Sequence, residues 1–387
     1  MSSLLHGVRV VDLSRVLAGP FGAQVMAEMG ADVIKVETGS GDPARSIGPF
    51  LDGRSLYFSS LNTGKRGVYL NLSTEAGRAA LDALIAGCDV LVENFRPSTG
   101  RRLGLDPETL LRRHPRLVAV SVVGHARESD RVEEGAFDLT IQAETGIMAV
   151  TGEPGRPPVR AGVPLSDLTA GLWAALGAVA ALLARDRDGR GRHVEIPMVD
   201  ATLPLLCYMA TSALGTGQEP PKVGSGHHRQ VPYGAFPTSD GWIAVGALED
   251  KFWPPLCRAL GLDDLLARSE LAHNDGRLER REEVEARIAE TLNTLTTDEA
   301  AERLRTTPVP HAPVLGIIEA LGTPYVRSRG LVAEVRAPEG TYRVARGPLR
   351  APAEPRPAPR RGEHTREVLA EVLGADSPLI REVLAAT

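Results

Sequence analysis

The chain has 387 residues, 43% of them apolar, enough for one large domain or two ordinary ones with a sizeable core. Its 44 basic and 49 acidic residues leave a net charge of −5 with no dense Lys/Arg tract, which argues against a nucleic-acid partner. The three cysteines, Cys88, Cys207 and Cys257, are far apart and form no CxxC pair, so neither a disulfide framework nor a zinc site is expected.

In chain order, strand and helix signals alternate. Val8–Leu13 is a short apolar run of buried-strand type, and it leads into Ala18-Gly19-Pro20, with Pro20 suited to a first helical turn. A helix pattern over Phe21–Met29 stops at Gly30. Asp32–Glu37 and Gly67–Leu72 predict further strands. Ser73/Thr74 then cap a helix reaching about Ile85. Asp89–Phe95 and Leu117–Val123 repeat the strand pattern, with a helix start at Asp106-Pro107-Glu108 between them. This alternation predicts an α/β fold, a doubly wound parallel sheet. The glycine fingerprint of a dinucleotide site is missing after the first strand, where "SRVLAGPFGAQ" has the wrong glycine spacing.

After Asp200 the texture changes. Gly215–Gln230, rich in Gly, Pro and His, reads as a mobile linker. "YGAFPTSDGWIAVGALE" reads as a hairpin turning at Ser239-Asp240-Gly241, and helical segments follow at Arg277–Leu292 and Asp298–Arg305. These predict a second, smaller α+β domain. The expected organisation is a large domain over 1–200, a linker over 201–225, a small domain over 226–331, and a return to the large domain over 332–387. That return begins with a Pro-rich strap at 350–360, "RAPAEPRPAPR", and ends in two helices.

Four groups carry candidate chemistry. Asp167 heads the uncharged run Leu168–Ala184, read as a closely packed core helix. It reads as a helix N-cap, or as an ionised carboxylate able to act as a nucleophile or base. Arg96, Arg101 and Arg102 follow a strand in "VENFRPSTGRRLG", where α/β proteins bind ligands; they suit phosphates or a solvated surface equally. Glu249 follows an apolar strand of the second domain, as a surface acid or as one facing a cleft. His227-His228 lacks a third ligand at metal-binding spacing, so no metal is expected. The N-terminus has too short an apolar stretch for a signal peptide, and a cytoplasmic protein with no membrane partner is expected.

Several stretches together resemble the class III CoA-transferase family (CaiB/BaiF), including its racemase branch. They are "GVRVVDLSRVLAGPFGAQVMAEMGADVIKVE", "LNTGKRGVYLNLSTEAGRAAL", "DVLVENFRPSTGRRLGLD", "SDLTAGLWAALGAVAALLARDRDGRGRHVEIPMVDA" and "GEHTREVL". The resemblance implies a Rossmann-like large domain, a smaller domain that closes the site, and an interlocked homodimer. It implies acyl-CoA and a carboxylic acid as substrates, with no permanently bound cofactor. Asp167 matches the family's nucleophile, which passes through an aspartyl-acyl anhydride and an aspartyl-CoA thioester. Leu17, Ala18, Leu70, Asn71, Leu72, Ser73, Asn94, Phe95, Arg96, Arg102, Phe137 and Asp138 match CoA-contacting positions. Ser73 and Thr38 stand where some relatives carry Lys and Arg, so fewer cations are expected at the CoA phosphates. Glu249 matches the acid that supports a catalytic His in the racemases, but Phe137 stands where that His belongs. Phe cannot move a proton, so the resemblance favours transferase over racemase. His125 is the one nearby candidate to substitute, and a noncatalytic CoA-binding relative is the third reading.

Overall fold

The computed structural model describes residues 3–351 and 354–386. The chain divides into two compact units. One takes Met1–Gly146, Ala161–Leu206 and Pro324–Thr387; the other takes Ile147–Arg160 and Cys207–Thr323. The segment 147–160 thus groups with the smaller unit, although it lies within the range 1–200 expected for the large domain. The stretch 201–225, expected as a linker, is helical through Met198–Thr202, Leu203–Leu206 and Cys207–Thr216. Its residues up to Leu214 are mostly apolar and carry no glycine, so the stretch stays helical, broken only by the tighter turn Leu203–Leu206 and Cys207 at φ 46°, and ends at Thr216 before Gly217 at φ 68°.

In the first unit, six parallel strands are found among the described residues. They are β1 (Arg9–Asp12), β2 (Asp32–Glu37), β3 (Arg66–Tyr69), β4 (Val90–Glu93), β5 (Val118–Val123) and β6 (Arg192–Pro197). Their spatial order is β3-β2-β1-β4-β5-β6. The order reverses between β1 and β4, and the crevice outside the carboxyl ends of strands at such a reversal is where doubly wound sheets bind ligands.

The strands are apolar on both faces because helices cover both. On one face Val10, Val90, Val92, Val118 and Val120 pack against α1 (Ala18–Glu28), and against a long helix, Leu165–Asp188, through Ala170, Ala174 and Ala178. On the other, Val11, Ile34, Val68 and Leu91 meet Leu81 and Leu84 of α2 (Glu75–Ala86). The same cluster holds Val368, Leu369, Ile380 and Val383, from the helices Thr365–Leu373 and Pro378–Ala385. Local signals explain the boundaries. Thr74 caps α2 by accepting from Gly77 N–H at 3.0 Å, and Asp106 caps Pro107–Arg113 by accepting from Thr109 N–H at 3.1 Å.

Leu165–Asp188 is only half the core helix expected. It buries Ser166, Ala170, Gly171, Ala174 and Ala178 but leaves Leu172, Trp173, Leu176 and Leu183 exposed, an apolar face uncovered in the single chain. By length and composition it and Met198–Thr216 would both suffice to cross a membrane. Its contact with α1 is close. A Cβ on Gly171 would lie 2.6 Å from the Ala18 carbonyl oxygen, and one on Gly22 would lie 2.7 Å from that of Gly171. Only glycine fits at this crossing.

The strap lies against the sheet's β3 side. Gly64 N–H donates to the Arg356 carbonyl at 2.7 Å, and Ala358 N–H donates to the Tyr342 hydroxyl at 2.9 Å. Pro352 and Ala353 of the strap lie outside the described residues.

The second unit carries the expected hairpin as β7 (Tyr233–Pro237) and β8 (Trp242–Gly246), joined by β9 (His311–Pro313) in one antiparallel sheet. Ile243, Val245, Trp253, Leu256, Val284 and Ile288 form its core. The helix expected over Arg277–Leu292 is broken at Arg280 into Asn274–Glu279 and Arg281–Leu292. Arg277 is fully buried there and spends its guanidinium on the Val231, Leu271 and Ala272 carbonyls and on Asp250.

Candidate active site

The loop after β1 reaches the crevice first. Val16 sits at φ 69°, a strained conformation for a β-branched residue, and it is held from several sides. Asn94, just past β4, accepts Arg15 N–H and donates to the Arg15 carbonyl, both at 2.8 Å. Asp42 accepts Val16 N–H at 3.1 Å. Beneath the loop lie four buried charges: Lys35 pairs with Asp42 and Lys65 with Asp12, each at 2.8 Å. Lys65 also donates to the Pro20 carbonyl at 2.9 Å and to Asn62 at 3.0 Å, and Lys35 donates to the Ser14 carbonyl. Burial pushes the Lys65 ammonium down to about 8 against the pull of Asp12. Burial alone would raise the Asp12 carboxyl, but Lys35 and Lys65 together hold it below its usual range. Two of the chain's four lysines are thus spent inside it. The one signal in the sequence was their setting, a single Lys inside the apolar DVIKVE and another just before GVYL.

Asp167 lies in the first turn of Leu165–Asp188, whose N-cap is Pro164 with no side-chain capping bond. The capping role expected for Asp167 is therefore not found. Leu165 and Ser166 are already helical, and an N-cap must stand outside the helix. The expectation of a readily ionised carboxylate is also corrected. Half-buried, the Asp167 carboxyl is pushed up to about 7, first by loss of water and then by the negative charge of Asp138. Gly171, which touches Ala18, lies one turn along the same helix face. Asp167 therefore shares the helix face that crosses α1 at Ala18.

Asp138 opens α3 (Asp138–Glu144). Its Oδ1 accepts Ser166 N–H at 2.9 Å, and its Oδ2 accepts the Gln142 amide at 2.7 Å. Gln142 in turn accepts Ala161 N–H at 2.8 Å. The Tyr57 phenol, partly buried, is pushed up by burial and then by Asp167, Asp42 and Asp138. Neither Gln142 nor Tyr57 was singled out from the sequence.

The remaining expected residues fall into three groups. Leu17, Ala18, Leu70, Leu72 and Phe95 are buried, with the Arg15 guanidinium 5.0 Å over the Phe95 ring. Asn71 accepts from Ser73 N–H at 3.1 Å and from its hydroxyl at 2.6 Å, shaping the turn after β3. That turn opens on a cleft of about 450 Å³ lined by Leu72, Arg78, Arg101, Arg102 and Arg113, with Glu75 and Asp82. Leu72 and Arg102, both expected as CoA contacts, thus meet there, and Arg78 and Arg101 join them. Arg96 is exposed, lying over Gly135. Phe137 is 72% exposed just before α3, where an aromatic side chain has little to hold it.

Two expected residues are engaged elsewhere. His125 Nε2 is 3.0 Å from Glu144, which also pairs with Arg131 at 2.7 Å. Glu249, in the second unit, is exposed and paired with Lys251 at 2.8 Å. His227 stacks on Tyr208 with ring centroids 5.6 Å apart. Among the described residues no group of three His, Cys, Asp or Glu side chains is placed to hold a metal ion. A larger cleft of about 710 Å³ opens at the opposite, N-terminal edge of the sheet, where Arg9 and Arg66 are already paired with Asp32 and Glu371. The strand-order reversal and the half-buried carboxylate favour the C-terminal edge as the site.

The first unit is an α/β fold built on a six-stranded parallel sheet whose strand order reverses between β1 and β4. The family model described as CoA-transferase family III matches residues 5–365. The chain belongs to that family: it is a class III CoA-transferase, an enzyme that moves coenzyme A between carboxylic acids. It is 34% identical over 382 residues to a succinate–glutarate CoA-transferase of Agrobacterium fabrum, covering 95% of each chain. It is also 34% identical to an acetyl-CoA:oxalate CoA-transferase of Acetobacter aceti, covering 84% of each. The crystal structure of a CaiB/BaiF family protein from Brucella suis superposes with a TM-score of 0.86 at 31% identity, over 96% of this chain and 100% of that one.

Proposed function

We propose that the enzyme transfers coenzyme A between dicarboxylic acids through a covalent intermediate on Asp167. The observation that carries this reading is the environment of Asp167: a half-buried carboxyl in the first turn of its helix, pushed up by burial and by Asp138, with no capping role to occupy it. A poorly solvated carboxylate is a stronger nucleophile than a hydrated one, because less water must be stripped from it on attack. Its oxygen attacks the thioester carbonyl of the donor, the C–S bond breaks, and CoA leaves as thiolate from a mixed anhydride. The thiolate then attacks the aspartyl carbonyl, releasing the donor acid and leaving an aspartyl-CoA thioester. The acceptor carboxylate attacks that thioester and frees the thiolate. Thiolate attack on the acceptor's acyl carbon yields the new acyl-CoA and restores Asp167.

Leu17, Ala18, Asn94 and Phe95 shape the thioester end of the site, with Asp138 beside the nucleophile. The arginine-lined cleft by Leu72 and Ser73 takes the nucleotide phosphates, for which paired guanidinium donors suit. Dicarboxylic acids are favoured because the relatives above are named for succinate, glutarate and oxalate. Racemisation is disfavoured by Phe137, which offers no proton where the racemases place their His. We read the enzyme as a cytoplasmic, interlocked homodimer; the uncovered Leu172, Trp173, Leu176 and Leu183 face supports a second chain as its cover.

The test is to incubate the enzyme with succinyl-CoA or glutaryl-CoA at pH 8 and look for a hydroxylamine-removable adduct on the peptide bearing Asp167. An adduct elsewhere, or exchange of the α-proton with solvent in place of CoA transfer, refutes the reading.

A further inference from the structure

Gln142 has a position that neither binding nor core packing requires. It is fully buried, and both ends of its amide are committed. The nitrogen donates to Asp138 Oδ2 at 2.7 Å, and the oxygen accepts Ala161 N–H at 2.8 Å, where the chain re-enters the first unit. The second Asp138 oxygen accepts Ser166 N–H at 2.9 Å, one residue before Asp167. A buried polar side chain with both ends satisfied is held in one geometry, and it holds its partners likewise. One amide therefore fixes the Asp138 carboxylate, and that carboxylate anchors the turn carrying Asp167.

We infer that Gln142 is a positioning residue which, by pinning Asp138, sets the pH at which Asp167 becomes a competent nucleophile. This rests on the reading of Asp167 as nucleophile. Among the described residues, Asp138 from α3 raises the Asp167 carboxyl, and Asp167 raises the Tyr57 phenol from the helix Leu56–Asn62. The negative charge of Asp138 disfavours ionisation of Asp167, and the hydrogen bond from Gln142 holds that carboxylate in place beside the Asp167 turn. Without that donor, the Asp138 carboxylate is free to turn away, and Asp167 ionises at lower pH.

The test is the pH profile of kcat/KM for CoA transfer from succinyl-CoA in wild type, Gln142→Met, Asp138→Asn and the double variant. The acid limb is expected to move down by half a pH unit or more in Gln142→Met, with KM for acyl-CoA changed less than twofold. It should move the same way in Asp138→Asn, and adding Gln142→Met to that background should move it no further. If the Met variant does not fold, Gln142→Glu keeps the acceptor for Ala161 and sets an acid against Asp138, and its limb should move up instead. A fall in kcat with an unmoved limb, or a shift that persists when Asp138 is already Asn, overturns the inference. The Asp167 adduct assay on wild type separates the two failures. An adduct with unmoved limbs rejects Gln142 alone, whereas no adduct rejects the nucleophile and this inference with it.

Discussion

Replacing Asp167 by Asn should make the protein more stable while abolishing its activity. The native carboxyl titrates near 7, against 3.8 for an unperturbed group. At about 1.4 kcal/mol per pH unit, that difference sets an upper bound of about 4 kcal/mol on what the ionised side chain costs the fold. The side chain is only partly withdrawn from water, so about 2–4 kcal/mol is the working range. The sign follows from proton binding. Below pH ~4 both states hold the proton and there is no penalty. Between pH ~4 and ~7 the unfolded chain releases it first, so native stability falls as pH rises, and above ~7 the whole penalty stands. Asn has no such dependence. With roughly 2.1 cal/mol/K of unfolding entropy per residue over 387 residues, each kcal/mol is worth about 1.2 °C. Asp167→Asn should therefore melt about 2–5 °C above wild type at pH 8, with a smaller gap at pH 5, measured calorimetrically at matched protein concentration. Turnover should fall by several orders of magnitude. Equal melting temperatures at both pH values would mean that Asp167 is well solvated or has a cation beside it, and the argument for a poised nucleophile would be lost.

Two further outcomes test the surroundings. Arg102→Ala should raise KM for acyl-CoA by about tenfold or more with kcat little changed, since a charge-assisted bond to phosphate is worth about 1.5–3 kcal/mol; steady-state kinetics with KM unmoved would leave that guanidinium in solvent. Gly171→Ala should cost about 1–3 kcal/mol, because its Cβ would lie 2.6 Å from the Ala18 carbonyl. A melting temperature equal to that of wild type would show that the two helices separate at little cost.

Much of the fold was legible because local chemistry decides it. Asp32–Glu37 is a strand at the bounds read from the sequence, and Thr74 and Asp106 cap the helices they were expected to cap. The linker at 201–225 misled because Gly, Pro and His in its second half were extended over an apolar first half that prefers helix. Asp167 stood out in the sequence by its place at the head of an uncharged run, but its raised pKa did not. That depends on Asp138, 29 positions earlier, and on burial, and neither is a property of neighbouring residues. Lys35, Lys65 and Gln142 escaped notice for a related reason. Each looks like an ordinary surface residue type until the side chains and backbone groups it pairs with in the fold are known.

The first unit is discontinuous, and this has a consequence for the order in which the chain can mature. Val368, Leu369, Ile380 and Val383 belong to the cluster that covers one face of the sheet, yet they are made after everything else in that cluster. While the ribosome is still adding the second unit, Ile34, Val68 and Leu91 wait with only part of their cover. The hairpin β7–β8 and the helices around it, drawn mostly from one uninterrupted stretch, have no such wait. The smaller unit should thus fold on the nascent chain, and the sheet that carries the chemistry should close only once its last two helices have emerged. A message cut short before Thr365 would yield a protein with a sound inserted unit and a sheet left open on the face away from the helix that carries Asp167.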